Sequence, residues 1–301
     1  MKQLLMPRRL ITISCMNKTH YNPSRRPNRP PRPERPQRPD RTPPSLMPTT
    51  LWDFPAQNYG GSRQGDTAYV GATPSYVVWN MVERYSQPGD LVVDPMAGSG
   101  TTLDVARDLG RKALAYDLVP RRQDIFRADC RKLPLEDGKA ALVFVDPPYS
   151  THIEYSADSR CIGKLDAEGS EYYEAMALAL AEINRILKPG GYLGLYVSDS
   201  FVKGKGFFPI GFELFSLMRE HFLAVDIISV VRHNKTLAMG NYRKAALDGN
   251  FYLRGFNYLF IMQKPVAARP AQRAGKGSRP KNAGRSAKTR QGGNAHPRKR
   301  S

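Results

Sequence analysis

Residues Leu91 to Thr102, LVVDPMAGSGTT, restrict the fold of this 301-residue chain more than any other stretch. Leu91, Val92 and Val93 are apolar and mostly β-branched, as a strand covered on both faces requires. Asp94 ends that strand, and Gly98 and Gly100 permit tight backbone geometry and close approach of a ligand. Thr101 and Thr102 open TTLDVARDLG, a helix that Gly110 stops. Strand, glycine turn and helix N-terminus together form the entrance to the cofactor crevice of an open α/β sheet. A tight βα turn with no ligand is the plain alternative.

The next segments narrow the ligand. KALAYD (112–117) is a second short strand ending in Asp117, 23 residues after Asp94. An acid there accepts hydrogen bonds from both ribose hydroxyls of an adenosine-containing ligand. Arg121 and Arg122 leave room for a phosphate, but the loop is not GxGxxG, which argues against a nicotinamide cofactor. A third short strand is expected around Ile125–Phe126, with Asp129 placed after it to meet an adenine amino group or to cap a turn.

The most specific element comes next. ALVFV (141–145) is a buried strand followed at once by Asp146-Pro147-Pro148-Tyr149. Two prolines cannot continue a ladder and hold a rigid extended turn. They present Asp146 and Tyr149 beyond the carboxyl end of the strand, where open α/β sheets bind ligands. Asp146 and the Pro147 carbonyl can accept the two hydrogens of an exocyclic amine, leaving the nitrogen lone pair available for attack on a methyl donor. Tyr149 can stack on the base that carries the amine.

Around this centre, a helix is expected over SYVVWNMVERY, started by Pro74, after a short strand and turn at Tyr69–Pro74. Ser150–Ser170 reads as a polar lid or substrate-facing loop, with Tyr155 to stack and Arg160 to meet phosphate. Glu171–Leu187 is an amphipathic helix with Met176, Leu180, Ile183 and Leu187 on its apolar side, and Lys188–Gly191 a turn back to the sheet. Tyr192–Val197, Val225–Val231 and Asn257–Gln263 are strands, and Phe212–Phe222 is a helix. Between the last two strands, His233, Lys235 and Arg243 begin a basic, aromatic-bearing loop that reaches Arg254, the best nucleic-acid surface of the core.

Charge decides what surrounds this core. The net charge is +19, yet residues 1–50 carry +9 and residues 265–301 carry +11, so that 51–264 is close to neutral at −1. The chain therefore divides into an Arg/Pro-rich disordered tail (1–50), a catalytic domain (51–264) and a disordered basic tail (265–301). Such tails bind phosphate backbones without reading sequence. Met1–Ile13 is broken by Pro7, Arg8 and Arg9, a poor signal peptide, and no run of apolar residues spans a bilayer. Cys15, Cys130 and Cys161 are widely spaced, as are the five histidines, so neither a disulfide framework nor a metal site is expected. A cytoplasmic setting, with nucleoid association possible through the tails, is the expectation.

Taken together, DPMAGSGTT, Asp117 and DPPY resemble the S-adenosylmethionine-dependent amino methyltransferases of DNA, the adenine-N6 and cytosine-N4 group. The resemblance covers about 69–264 and implies a Rossmann-like class I methyltransferase: an α/β fold whose central, mostly parallel sheet has an antiparallel C-terminal strand and helices on both faces. It implies that Asp94, Ala97, Gly98, Ser99 and Gly100 hold the methionine end of the cofactor, with Met96 packed against it. Asp117 would then hold the ribose and Asp129 approach the adenine ring. Asp146, Pro147, Pro148 and Tyr149 would serve the target base. The glycine loop precedes DPPY, whereas many DNA enzymes with such a loop have the reverse order, and no insertion is large enough for a full target-recognition domain. An RNA methyltransferase acting on adenine N6 or guanine N2 therefore stays open, as does a non-catalytic nucleic-acid-binding protein.

Overall fold

A computed structural model describes residues 44–66, 68–69, 71–149, 155–202 and 204–266. Within it Lys235 and Thr236 are described by their backbone alone. The expectations for the tails before residue 44 and after residue 266, and for the first part of the lid (150–154), lie outside the described residues.

The centre is a sheet built in the order the hydrophobic runs predict. β1 is Leu51–Trp52, β2 Leu91–Asp94, β3 Lys112–Asp117, β4 Phe126–Arg127, β5 Ala140–Val145 and β6 Leu187–Val197. A hairpin, β7 (Ser200–Val202) and β8 (Gly206–Phe208), is followed by β9 (Leu223–Val231) and β10 (Phe256–Gln263). Eight of these form one sheet in the order β1-β9-β10-β6-β5-β2-β3-β4. The pairs β2/β3, β2/β5, β3/β4, β5/β6 and β1/β9 are parallel, and β10 runs antiparallel between β6 and β9. Every residue of β5 is buried, as a central parallel strand must be when helices cover both faces.

The helices are α1 (Ser75–Tyr85), α2 (Thr101–Asp108), α3 (Ser170–Ile186), α4 (Ile210–Met218), α5 (Lys235–Ala238) and α6 (Gly240–Asp248). On one face of the sheet α1 places Val77, Val78, Met81 and Val82 against Leu142, Phe144, Leu259 and Ile261. On the other, Tyr172, Met176, Leu180 and Ile183 of α3 join Leu214 and Met218 of α4 over Val143, Val145, Leu195 and Phe260. Each such side chain removed from water contributes about 1.5–3 kcal/mol, so the two stripes hold the sheet between the helix layers. Order, direction and layering are those of the class I S-adenosylmethionine-dependent methyltransferase fold, as the resemblance implied.

Three local expectations are corrected. Tyr69 and Gly71–Pro74 form no strand but an unpaired turn, since their hydrogen bonds go to Gln57 and Asp146 instead of a ladder. Lys188–Gly191 lies within β6 as an irregularity: Ala140 faces Leu187 while Leu142 faces Tyr192, and Gly190 bonds to Lys264 rather than turning away from the sheet. The basic stretch after His233 is largely helical, because GNYRKAALD is rich in helix formers, although it buries just Ala246. One further strand has no counterpart among the expected elements: Leu51–Trp52 pairs with Ser229–Val230 and buries Trp52. Among the described residues no helix is long and apolar enough to cross a membrane.

Candidate active site

The chain runs β2 to β3 to β4 towards one edge, then returns to place β5 and β6 on the other side of β2. β2 and β5 are therefore parallel neighbours at a topological switch point, and a crevice opens beyond their carboxyl ends. Asp94 closes β2, and Asp146 follows β5 directly.

The glycine loop is held through its backbone N–H groups. Met96 N–H donates to Asp94 Oδ1 (3.0 Å), Ala97 N–H to the Tyr116 carbonyl (2.9 Å), Gly98 N–H to Asp117 Oδ2 (3.0 Å) and Gly100 N–H to the Ala97 carbonyl (2.7 Å). Gly98 and Gly100 have φ of +46° and +80°, left-handed geometry that favours glycine. A Cβ on Gly98 would lie 2.8 Å from the Tyr69 ring, and one on Gly100 2.6 Å from Arg122 Nη1. Arg122 was expected to leave room for a phosphate. It is instead spent on Asp104 and Asp124 at 2.7 and 2.8 Å, locking α2 to the loop. Arg121 lies over the Tyr69 ring, 5.2 Å from its centre.

Three contiguous spaces surround Asp146. The first is lined by Met96, Gly98, Asp117, Asp129, Cys130 and Tyr155. The second lies against the glycine loop, between Thr73, Asp94, Ala97, Ser99 and Tyr149. The third, on the far side, is lined by Tyr149, Tyr196, Arg232, His233 and Asn257. Asp146 borders all three. Burial pushes its carboxyl up to about 7, reinforced by the charge of Asp94 and opposed by a hydrogen bond from Thr73 and the charge of Arg232. Burial likewise pushes Asp94 up to about 7, against hydrogen bonds from Thr102 and the Met96 N–H. Burial also pushes the Cys130 thiol up to about 12, which makes it a poor nucleophile.

The sequence-predicted residues separate into groups. Asp94, Met96, Ala97, Gly98, Ser99, Asp117 and Asp129 all line the first or second space, as do Pro148 and Tyr149, and Gly100 turns the loop into α2. Pro147 is buried beneath them. Asp129 is already engaged: both its oxygens bond to the Arg131 guanidinium at 2.9 and 2.7 Å. The four basic candidates are not brought together. Arg160 pairs with Asp158 at the first space, and His233 pairs with Asp53 at the third. Lys235 begins α5, and Arg243 is exposed on α6. Sequence reasoning missed Thr73, Tyr196, Arg232 and Asn257. Thr73 directly precedes Pro74 at the start of α1, a helix expected to wall the site, but its contact with Asp146 crosses 73 residues and has no local signature.

The second space tests the cofactor. It is lined by two carboxylates and, among the described residues, by no Lys, Arg or His. Buried carboxylates without a cation favour a ligand that carries positive charge, and S-adenosylmethionine brings an ammonium and a sulfonium. The residues fit, and S-adenosylmethionine is the cofactor of this fold.

A family model described as DNA methylase matches residues 2–127, a span that includes the glycine loop and Asp117 and ends before Asp146. The Type II methyltransferase M.ScaI of Streptomyces caespitosus is 32% identical over 80 residues, 26% of this chain and 26% of that protein. The Type II methyltransferase M1.MboII of Moraxella bovis is 32% identical over 71 residues, 23% of this chain and 27% of that one. The chain thus spans about a quarter of the length of the curated relatives it matches. The solved structure of the [4+2]-cyclase SpnF is similar over 64% of this chain and 82% of its own, at 18% identity and a TM-score of 0.43, too low to carry an argument. The family model is one of DNA methylases and both curated relatives are Type II methyltransferases, and each of the three matches less than half of this chain.

Proposed function

We propose that the protein transfers a methyl group from S-adenosylmethionine to an exocyclic amino nitrogen of a DNA base, adenine N6 or cytosine N4. The observation that carries the reading is the position of Asp146, on a rigid Pro-Pro turn where the three spaces meet. When bound, S-adenosylmethionine supplies an electrophilic methyl group. Asp94 and the loop Ala97–Gly100 hold the methionine end, with Met96 packed beside it, and Asp117 takes the ribose. Asp129, kept ionised by Arg131, lies beside the adenine.

The target base enters the third space from the other side, after leaving its stack at a cost of about a few kcal/mol. Tyr149 stacks on it, and the ring is steadied between Tyr196 and Asn257. The amine donates its two hydrogens to Asp146 Oδ1 and the Pro147 carbonyl. Those acceptors face the positive charge that develops on nitrogen as its bond to the methyl forms and the bond from methyl to sulfonium breaks. S-adenosylhomocysteine leaves as the neutral thioether, and the extra proton of the amine is released to solvent. Holding amine and methyl in line across one carboxylate is the main catalytic contribution. Arg160, His233, Lys235 and Arg243 serve phosphates, and the basic ends outside 51–264 add contacts that do not read sequence. The same chemistry on RNA is the second reading, favoured by the short connections around the site: Asp146 to α3 leaves little room for a recognition domain.

Labelled methyl transfer to duplex DNA and to RNA in parallel, followed by digestion to nucleosides, tests this. N6-methyladenine or N4-methylcytosine from DNA is expected. Label confined to RNA would move the substrate to the second reading, and label in neither would remove the activity.

A further inference from the structure

Thr73 belongs to no glycine loop and no DPPY turn, yet its Oγ1 donates to Asp146 Oδ2 at 2.5 Å. The threonine is 8% exposed, and its segment is pinned on both sides. Gln57 Nε2 donates to the Ala72 carbonyl at 2.7 Å, and the Ser75 N–H donates to the Gln57 carbonyl at 2.9 Å. Immediately after it α1 begins, with Val77 and Val78 wholly buried against the sheet. The hydroxyl is thus anchored to one rigid element and the carboxylate to another, the Pro-Pro turn.

A carboxylate on a proline turn still rotates about its own side-chain bonds, and a rotated one offers the amine the wrong lone pair. With Oδ2 taken by Thr73, Oδ1 is the oxygen left for an incoming N–H. We propose that Thr73 is a positioning residue for methyl transfer: its hydroxyl orients Asp146 and reserves one carboxylate oxygen for the target amine. The inference rests on the base-holding reading of Asp146. It also bears on ionisation. The groups facing Asp146 are Asp94 from β2, Arg232 after β9, and the hydroxyls of Tyr69, Tyr149, Tyr155, Tyr196 and, from α3, Tyr172. Of these Asp94 favours the protonated acid, while Arg232 and the Thr73 hydrogen bond favour the carboxylate. Loss of the hydroxyl therefore raises the pH at which Asp146 ionises.

The test uses the full chain with duplex DNA and labelled S-adenosylmethionine, comparing Thr73→Val, Thr73→Ser and Asp146→Ala. Thr73→Val is expected to lower kcat roughly 10- to 100-fold while cofactor affinity stays within about 2-fold. The acid limb of its rate–pH profile moves to higher pH, and Thr73→Ser restores both. Should Thr73→Val fail to fold, Thr73→Ala shows the same loss and the same displaced limb. Wild-type kcat and an unmoved limb in the hydroxyl-free variant overturn the inference. So does a Thr73→Ser enzyme as impaired as that variant, which would mark a packing role for the methyl group. Asp146→Ala, which leaves no side-chain acceptor, separates the two layers. If it retains turnover, the base-holding reading itself falls; if it is inactive while Thr73→Val is normal, the role of Thr73 alone falls.

Discussion

The two sides of Asp146 are built by different means. On the cofactor side, one continuous stretch from Leu91 to Thr102 makes most of the wall, its backbone N–H groups bonding to Asp94, Asp117 and the Tyr116 carbonyl around two left-handed glycines. On the target side, Tyr149, Tyr196, Arg232 and Asn257 arrive from four separate segments, and side chains do the work. A wall made of backbone tolerates side-chain change but not an added Cβ, whereas a wall made of side chains shows the opposite sensitivity. The contrast follows from what each side must hold. On the proposed function, one side holds the same cofactor at every turnover, and the other receives a base that must enter and leave.

The largest effect sharpens this contrast at its boundary. Asp146→Ala removes the acceptor and lowers methyl transfer by roughly 100- to 1,000-fold, well beyond the rise in the dissociation constant for S-adenosylmethionine, measured by titration calorimetry, that follows from losing one of the two carboxylates of the second space. Normal turnover in that variant would dissolve the distinction between the two sides. Next comes the backbone wall. Gly98→Ala places a methyl 2.8 Å from the Tyr69 ring at a φ of +46°, so cofactor affinity should drop roughly 10-fold or more, given a strain of about 1–3 kcal/mol for such a residue. Unchanged affinity would show that the loop is not the cradle.

A smaller effect concerns pH. Asp94 and Asp146 hold their protons up to about 7 in the folded protein, but ionise near about 4 in an unfolded chain. Between those values the unfolded state binds fewer protons, so stability declines as pH rises through that window. Asp94→Asn should flatten the decline in thermal midpoint between about pH 5 and pH 7.5; an unaltered slope would show that Asp94 is not a strained acid. The smallest effect lies outside the core. Removal of residues 265–301, with their charge of +11, should weaken nucleic-acid binding at low salt and leave turnover on saturating DNA unchanged. An identical salt dependence with and without the segment would exclude phosphate contacts from it.

What was legible follows the same division. Val92-Val93-Asp94, Gly98, Gly100 and Pro147-Pro148 could be read because their geometry depends on residues within a few positions: glycine permits a left-handed turn, proline forbids a ladder. Asp117 was legible because strand length and helix length set its distance from Asp94. The KPGG stretch was misread as a turn because its glycines signal bending without saying whether the partner strand bends with them. GNYRKAALD was misread as loop because its charge drew more weight than its helix propensity.

By itself the sequence determined the class of sheet, the cofactor crevice and the carboxylate turn, since each is a local steric or periodic property of contiguous residues. Tertiary structure alone decided that Thr73 meets Asp146, that Arg122 locks the glycine loop instead of awaiting a phosphate, and that Arg232 and Asn257 face the space where a base would sit. Those contacts join segments far apart in the chain. Their partners are chosen by how whole helices and strands pack on the sheet, which no local pattern records.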